Sequence, residues 1–473
     1  MGLGGGIAMK ERAQMTIPRE YVDMGLPASF VWDYADRRPR LTRLYEKSKV
    51  SQWNATTDVD WSIEVDPGAE PDLERFAGID FGMQDTPIGR FLRSSDENRH
   101  AYIANEHAWM VSQFMHGEQG ALVATAKITA AAETIDDKYY AAAQVGDEAR
   151  HVEAYQRYLD KIEIEYPVTP YLHQLLTEVM EHQHVDLTFL GMQILVEGVA
   201  LAAFSMGGAL LANPLIGQIT DLVRKDEARH VAFGVLSLQG LYHDMDPIDR
   251  VVREDFVLEA CSLMRDRFEP VAVWEHFGID VDGAREHFVD SPDMAAFRSL
   301  LFSKVVPNLR KLGLLTPRVR EGFEQMGILR YERYVDSATE AGELDPAEDV
   351  DPSDPLSSLR ASLAGVDKIA PGPVLQVLQS FIDRERVLAA GDARIRLQVT
   401  GVDDGDWFIG VAAGDVDVHP SAATDAVEVS ITMDVETWTG IVAGRITPPG
   451  AFLEGKLELE GDIAKALVVD ALL

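Results

Sequence analysis

The five-residue motif DEARH occurs twice in the chain, in GDEARHVEA at residues 146–154 and in KDEARHVAF at residues 225–233. In each copy a glutamate is followed three positions later by a histidine, Glu148 by His151 and Glu227 by His230. Positions three apart lie on one face of a helix, about one turn from each other. A carboxylate that can bridge, beside a neutral imidazole, suits iron or manganese. One such pair is common on solvated helices, whereas two copies favour a metal site.

A lone glutamate stands thirty positions before each pair, Glu118 before Glu148 and Glu197 before Glu227. Glu118 and Glu197 lie among apolar and small residues, where an unpaired carboxylate would be costly. The whole unit, a glutamate and then Glu-x-x-His, repeats with a shift of 79 positions. Two helices that give one Glu each, and two that give Glu-x-x-His, build a two-metal site inside a bundle. Four carboxylates would neutralise most of the charge of two divalent ions.

Apolar and small residues recur at helical spacing around this unit. Few helix breakers occur over residues 95–164, and TIDD at residues 134–137 is expected to form the turn between two helices. A second pair of helices is predicted over residues 170–243. Four long helices joined by short turns and one crossover predict a four-helix bundle.

Over residues 96–243 these motifs resemble the ferritin-like di-iron carboxylate proteins. The form D-E-x-R-H is similar to that of the hydroxylase subunits of bacterial multicomponent monooxygenases, and N-oxygenases and the small subunit of ribonucleotide reductase are relatives of these. The resemblance implies a cofactor of two iron ions, Fe/Fe or Mn/Fe, with O2 as co-substrate. It implies as metal ligands Glu118, Glu148, His151, Glu197, Glu227 and His230.

The remaining charged residues of the two DEARH motifs are expected to support the ligands. By the same resemblance, Asp147 and Asp226 would each accept a hydrogen bond from a ligand histidine of the other copy, which fixes its ring. Arg150 and Arg229 would pair with these aspartates. Ordinary ion pairing along a helix is the alternative for all four residues.

Tyr155 lies four residues after His151 and therefore on the same helical face. The small subunit of ribonucleotide reductase has its radical tyrosine at this position, so the resemblance makes Tyr155 a candidate catalytic residue. A core tyrosine with a satisfied hydroxyl is the alternative. Arylamine N-oxygenases carry a further ligand histidine one turn before the last glutamate. Val223 occupies that position here, so a third histidine ligand is not expected.

The C-terminal region changes from helical to alternating periodicity. RIRLQVTGV, DWFIGVAAGDVDVHP and AVEVSITMDVETWTGIVAG read as antiparallel strands between two helices. AFLEGKLELEGDIAKALVVDALL, residues 451–473, resembles the end of the sterol-carrier-protein type domain in its Gly-Lys-aliphatic strand and its Gly-Asp turn. This resemblance implies an α+β fold that encloses an apolar tunnel for acyl chains or sterols, or that acts as a dimerisation module.

The predicted fold is mainly α, a ferritin-like four-helix bundle with extra helices, followed by a small α+β domain. We expect an irregular extension at residues 1–92 that packs on the bundle and a di-metal helical domain at residues 93–334. An acidic linker is expected at residues 335–355, before a sterol-carrier-protein type domain at residues 356–473. The linker has eight acidic residues and no basic one between Val335 and Asp354. A solvated loop within one domain is the alternative.

Composition excludes several classes of protein. The net charge of −35 argues against binding to nucleic acid or to an anionic membrane surface. The single cysteine, Cys261, excludes an intrachain disulfide and fits a reducing cytoplasm. The apolar stretch at residues 198–217 is expected to be a buried bundle helix and not a membrane span, because Glu197 abuts it and Asn213-Pro214 interrupts it.

These features predict a monooxygenase-like, O2-dependent di-iron oxidoreductase that acts on a hydrophobic, acyl or carrier-presented organic substrate. Hydroxylation, N-oxygenation and desaturation stay open. Electrons are expected from a separate ferredoxin or flavin reductase, or from peroxide, and we expect a cytoplasmic homodimer. Two alternatives remain: a ferroxidase or peroxidase-like di-iron protein, and a lipid-binding protein with a structural di-metal site.

Overall fold

A computed structural model gives the fold of most of the chain. It describes residues 20–35, 37–70, 85–210, 213–266, 268–290, 292–345, 359–360, 362–363, 366–380, 384–466 and 468–469. Within the predicted extension, residues 20–35 have no regular structure and two helices follow, α1 (Pro39–Val50) and α2 (Pro87–Leu92). Leu41 and Leu44 of α1 are buried in the main hydrophobic core.

The centre of the molecule is the predicted four-helix bundle. Its helices are α3 (Asp96–Ala131), α4 (Ile135–Ile162), a composite third helix and α8 (Pro214–Leu238). The composite helix consists of α6 (Val185–Phe189), a π-helical turn (Leu190–Val196) and α7 (Glu197–Leu210). Side-chain caps mark the helix starts: Ser95 accepts a hydrogen bond from Asn98 N, Thr134 from Asp137 N and Asn213 from Leu215 N. Residues 135–137 therefore form the first turn of α4 and not the predicted loop.

The predicted helix that starts at Pro170 is two helices. The first, α5 (Pro170–Glu181), ends before His182, whose backbone is extended. The buried ammonium of Lys127 donates to the carbonyl oxygens of Met180 and His182 at 2.7 Å each and satisfies the end of α5. The composite helix then begins at Val185. Within it, the stretch Val185–Ser205 is long and apolar enough to cross a bilayer, and 94% of its most apolar 18-residue window is buried inside the protein.

Further helices pack around the bundle, and the last of them lies beyond residue 334, where the helical domain was predicted to end. They are α9 (Pro247–Asp266), α10 (Val271–His276), α11 (Val281–Asp290), α12 (Pro292–Leu301), α13 (Val305–Lys311), α14 (Pro317–Met326) and α15 (Ser337–Glu340). Asp336 caps α15 by accepting from Ala338 N and Thr339 N at 3.0 Å, and Ala338 and Leu344 are buried in the main core. Residues 336–345 are thus folded on the bundle, which differs from the predicted linker. Residues 346–355 of that linker lie outside the described residues.

The C-terminal region is an α+β domain with its own core. Its elements are α16 (Pro371–Ser380), α17 (Arg384–Ala390), β1 (Ala393–Thr400), β2 (Asp406–Ala412), β3 (Asp415–Pro420), β4 (Val429–Asp434), α18 (Val435–Val442), α19 (Pro448–Leu453), β5 (Leu457–Gly461) and α20 (Ile463–Ala466). The sheet order is β3-β2-β1-β4-β5. All neighbouring strands are antiparallel except β1 and β4, which are parallel, and β4 lies on the side of β1 opposite β2. The third predicted strand stops at Asp434, whose carboxylate caps α18.

Candidate metal centre

The six predicted metal ligands meet in the middle of the bundle. They come from α3, α4, α7 and α8, and none is more than 5% exposed. Their ligand atoms form two groups, each with its atoms within 4.8 Å of one another. One group is Glu118, Glu148, His151 and Glu227, and the other is Glu148, Glu197 and His230. The two groups share Glu148, and Glu227 of the first group also lies 3.6 Å from His230 of the second.

Both histidines contact Glu148 and Glu227. His151 Nδ1 is 3.3 Å from Glu148 Oε2 and 3.2 Å from Glu227 Oε1. His230 Nδ1 is 3.1 Å from Glu148 Oε1 and 3.6 Å from Glu227 Oε2. Glu118 completes the first group, with Oε2 at 3.1 Å from His151 Nδ1. Each imidazole therefore directs Nδ1 into the cluster.

The other ring nitrogen of each histidine contacts an aspartate of the opposite copy. His151 Nε2 lies 3.0 Å from Asp226 Oδ2, and His230 Nε2 lies 3.3 Å from Asp147 Oδ2. These are the exchanged hydrogen bonds that the sequence led us to expect. A carboxylate accepts a hydrogen bond from Nε2–H, so it favours the neutral tautomer in which Nδ1 keeps its lone pair for a metal. The metal-binding role of the six residues stays a prediction.

Arginine and tryptophan side chains complete the support of the aspartates. Arg150 Nη2 donates to Asp147 Oδ1 at 2.5 Å and to Asp226 Oδ2 at 2.9 Å, while Arg229 donates to Asp226. Trp53 Nε1 donates to Asp226 Oδ2 at 2.8 Å, and its ring stacks on His151 with centroids 6.2 Å apart. The sequence did not single out Trp53, since it lies in the irregular segment after α1.

Two glutamines that the sequence did not single out lie against the ligands. Gln144 Nε2 donates to Glu148 Oε1 at 2.9 Å and to Glu197 Oε1 at 2.8 Å. Gln193 Nε2 lies 3.4 Å from both Glu197 Oε1 and Gln144 Oε1. Each glutamine stands four residues before a glutamate of the cluster, on the same helical face. This spacing is the signal that could have found them.

Burial and mutual charge shift the acidity of the cluster. Burial raises the pKa of Glu118 and of Glu197 well above the ordinary value, and the carboxylate of Glu227 raises both further. Burial alone would lower the pKa of His151, but the neighbouring carboxylates of Glu118 and Asp226 raise it well above its ordinary value. Carboxylates crowded in this way repel one another unless protons or cations compensate their charge.

Among the described residues, several buried atoms of the cluster lie close to one another without a well-directed hydrogen bond. They are Glu148 Oε2, Glu197 Oε2, Glu227 Oε1 and His230 Nδ1. An unpaired buried polar group costs about 1–3 kcal/mol, and the crowded carboxylates add their repulsion. Two divalent cations would relieve both penalties, since iron and manganese accept carboxylate oxygen and imidazole nitrogen as ligands. The donor atoms present thus fit a two-metal cofactor.

Tyr155 lies beside this cluster in an aromatic layer. Its ring centroid is 6.0 Å from that of Phe114 and 6.2 Å from that of Phe204. Its hydroxyl is buried beside that of Thr220. Burial raises the pKa of Tyr155 well above the ordinary value, and the carboxylate of Glu118 raises it further. A catalytic role for Tyr155 stays a prediction, and so does the alternative of a core tyrosine.

Comparison with known proteins divides the chain into the same two regions. The family described as P-aminobenzoate N-oxygenase AurF matches residues 34–313, and the SCP-2 sterol transfer family matches residues 375–473. Hydroxysteroid dehydrogenase-like protein 2 from Rattus norvegicus is 28% identical over 89 residues, 19% of this chain and 17% of that protein. Non-specific lipid-transfer protein-like 1 from Caenorhabditis elegans is 31% identical over 93 residues, 19% of this chain and 77% of that protein. Both resemblances inferred from the sequence are confirmed.

Solved structures of R2-like ligand-binding oxidases are also similar to the chain. The oxidase from Sulfolobus acidocaldarius is 18% identical, with a TM-score of 0.33, and the match covers 56% of this chain and 92% of that one. A mutant oxidase with a Mn/Fe cofactor is 19% identical, with a TM-score of 0.30, and the match covers 62% of this chain and 94% of that one.

Proposed function

The chain belongs to the P-aminobenzoate N-oxygenase AurF family and, in its C-terminal region, to the SCP-2 sterol transfer family, and we propose that it is an O2-activating, non-haem di-iron oxygenase. The observation that carries this proposal is the buried group of four glutamates and two histidines with unpaired ligand atoms. When bound there, two iron ions would supply the redox chemistry that activates O2.

The side chains of the protein have separate tasks in this function. Asp226 and Asp147 hold the protons on Nε2 of His151 and His230, which leaves each Nδ1 as a ligand. The apolar side chains around Glu118 exclude water, so that the reacting groups are not quenched by solvent. These tasks are positioning and shielding.

We propose that the substrate is a hydrophobic organic molecule of lipid or acyl type. The SCP-2 match and the similarity to a lipid-transfer protein support this class. The name of the N-terminal family adds aromatic amines as a second class to test, although Val223 stands where the resemblance to arylamine N-oxygenases would place a histidine. Hydroxylation, N-oxygenation and desaturation are distinguished by the product.

The test begins with metal loading. Anaerobic incubation with Fe(II), removal of free metal and elemental analysis should give two iron ions per chain. Glu148→Ala should lower this content, whereas Glu153→Ala, which changes an exposed glutamate of the same helix, should not. Fewer than two ions in the unchanged protein, or full content in Glu148→Ala, would contradict the proposal.

The second step is turnover. The iron-loaded protein is supplied with a chemical reductant, O2 and either p-aminobenzoate or dodecanoic acid, and O2 uptake and product mass are measured. An added oxygen atom indicates hydroxylation or N-oxygenation, and a loss of two hydrogens indicates desaturation. Thermal stabilisation by dodecanoic acid without any O2 uptake would favour the alternative of a lipid-binding protein with a structural metal site.

The finer expectations belong to the same proposal. We propose that a ferredoxin or flavin reductase, or peroxide, supplies the electrons. Loading the protein with iron and manganese together would distinguish an Fe/Fe from a Mn/Fe cofactor. We also propose a homodimer. It is supported by the stacked side chains of Phe30 and Trp32, which are 82% and 74% exposed. Light scattering should then show a dimer that Trp32→Ser weakens. A cytoplasmic location stays a prediction.

A further inference from the structure

The internal duplication allows each ligand to be compared with its counterpart. A shift of 79 positions relates Glu118 to Glu197. The same shift assigns a counterpart in the other half to each residue near them. If the two halves were chemically equal, the side chains next to Glu118 would repeat next to Glu197. They do not repeat, and the difference is systematic.

Glu197 is held by amide groups. Gln144 Nε2 donates to its Oε1 at 2.8 Å, and Gln193 Nε2 lies 3.4 Å from the same oxygen. Gln193 also faces Gln144 Oε1 at 3.4 Å, which fixes the direction of the Gln144 amide. Both glutamines are fully buried. The other carboxylate oxygen, Oε2, has no hydrogen-bond partner in the part of the chain that the structure describes, so it can bind an ion.

The positions that correspond to these two glutamines in the half of Glu118 are apolar. The shift of 79 positions relates Gln144 to Val223 and Gln193 to Phe114, and neither counterpart can donate a hydrogen bond. Among the described residues, the only hydrogen-bond contact of Glu118 is with His151. Its carboxylate is therefore not fixed by any amide.

The packing around the two positions matches this difference. The counterpart of Tyr155 is Gly234. A Cβ atom at Gly234 would lie only 2.4 Å from Gln193 Cβ, so the glycine makes the room that Gln193 occupies. Tyr155 is bulky at the equivalent place, beside Phe114. Each half thus has a residue that suits its own surroundings.

We propose that the two metal positions are unequal, because Gln144 and Gln193 orient Glu197 and so make the position of Glu197 and His230 the tighter one. This proposal rests on the proposed function, since it assumes that the cluster binds two ions. A carboxylate that is already oriented by buried hydrogen bonds loses less freedom when it binds an ion. Glu118 has to be ordered by the ion itself, so its position with His151 is the weaker one.

The test is a metal-binding isotherm of the full chain, measured anaerobically with Fe(II) by equilibrium dialysis. The unchanged protein should bind two ions in two separate steps, and His230→Ala should remove the tighter step. Gln144→Val, which installs the residue of the other half, and Gln193→Met should each raise the dissociation constant of the tighter step about 10–100-fold. The weaker step should change less.

Gln113→Val is the matched control. Gln113 is a buried residue on α3 whose Nε2 donates to Pro167 O and whose Oε1 accepts from Thr169 N, away from the cluster. Its replacement should leave both steps unchanged. Two ions bound with equal affinity, or a tighter step that both glutamine variants leave intact, would overturn the inequality without touching the proposed function. A protein that binds fewer than two ions would overturn the proposed function itself.

Discussion

The carboxylate of Asp226 is the hydrogen-bond acceptor for several buried donors beside the centre. Its Oδ2 lies 3.0 Å from His151 Nε2, 2.8 Å from Trp53 Nε1 and 2.9 Å from Arg150 Nη2. Asp226→Asn keeps the shape but can turn an N–H towards these donors, so His151 loses the bond that fixes its ring. We expect metal affinity to fall about 10–100-fold, measured by equilibrium dialysis. Asp221→Asn on the same helix should have no such effect, and an equal loss there would assign the effect to net charge.

Among individual residues, the sequence predicted those that follow a regular spacing along a helix. Glu148 and His151 share a helical face, and their repetition after 79 positions made the pattern specific. Gln144 and Gln193 were not predicted, because a glutamine one turn before a glutamate is common on any helix. Trp53 was not predicted either, since its contact with Asp226 depends on how a separate segment of the chain packs on the bundle.

His107 is a buried histidine outside the metal centre. It is 7% exposed, and its Nε2 lies 2.8 Å from the hydroxyl of Tyr158. Burial lowers the pKa of His107 from 6.5 to about 4. The folded state therefore keeps the ring neutral while the unfolded chain takes up a proton near its ordinary pKa. The stability that His107 contributes at neutral pH is therefore lost as the pH falls from 6.5 to about 4.

Replacement of His107 should change the pH dependence of stability in a defined direction. From about pH 8 to about pH 5 this histidine should account for a loss of about 2 kcal/mol in the free energy of unfolding. His107→Gln should lose correspondingly less over the same interval, measured by urea denaturation at both pH values. The exposed His173 offers the control His173→Gln, which should behave like the unchanged protein. Equal losses in all three proteins would refute this assignment.

At the scale of elements, the π-helical turn Leu190–Val196 places Glu197 at its end. Such turns are frequent at functional sites because the extra residue rotates the side chains that follow. Gly191 allows the turn to pack closely, since a Cβ there would lie 2.6 Å from Val179 Cγ2 and 2.8 Å from Phe256 Cζ. The position of Glu197 therefore depends on a close helix contact several residues earlier.

Gly191→Ala should disturb this contact and, through the turn, the metal centre. Overpacking of this kind costs about 1–3 kcal/mol, so we expect a lower melting temperature together with a lower metal content. The control is Gly217→Ala in α8, where the added Cβ meets no atom within 4 Å. It should stabilise the protein slightly, because alanine favours a helix over glycine by about 0.5–1 kcal/mol. Unchanged metal content in Gly191→Ala would contradict the link between the turn and Glu197.

Element boundaries were predicted where capping residues and periodicity agree, and missed where a tertiary contact decides. Nothing in the sequence around residue 182 announces the end of α5, because the group that satisfies its last carbonyls is Lys127 of another helix. The acidic composition after Val335 favoured a linker, but Ala338 and Leu344 are buried against the bundle. The parallel pairing of β1 with β4 likewise depends on a return across the sheet that alternation cannot show.

At the scale of the whole molecule, the SCP-2 type domain is packed on the helix that carries Glu197. Its helix α19 contacts α7, and Phe452 at this contact packs against the hydrophobic cores of both regions. Glu454 Oε1 lies 3.2 Å from Arg224 Nη1 on α8, one turn before Glu227. The two domains therefore meet beside the two helices that supply the second half of the predicted metal centre.

Phe452→Ala should separate the two domains without damage to the centre. Phe452 is partly buried, so its truncation should cost about 1–2 kcal/mol at this contact, and the C-terminal domain should unfold below the bundle as a distinct calorimetric transition. Metal content should stay unchanged, because no ligand is touched. Phe408→Ala, which removes an aromatic ring from β2 where Phe408 stacks on His419, should weaken the C-terminal domain without this added separation. If Phe452→Ala and Phe408→Ala gave the same calorimetric trace, Phe452 would stabilise only its own domain, and the contact between α19 and α7 could not be what holds the two domains together.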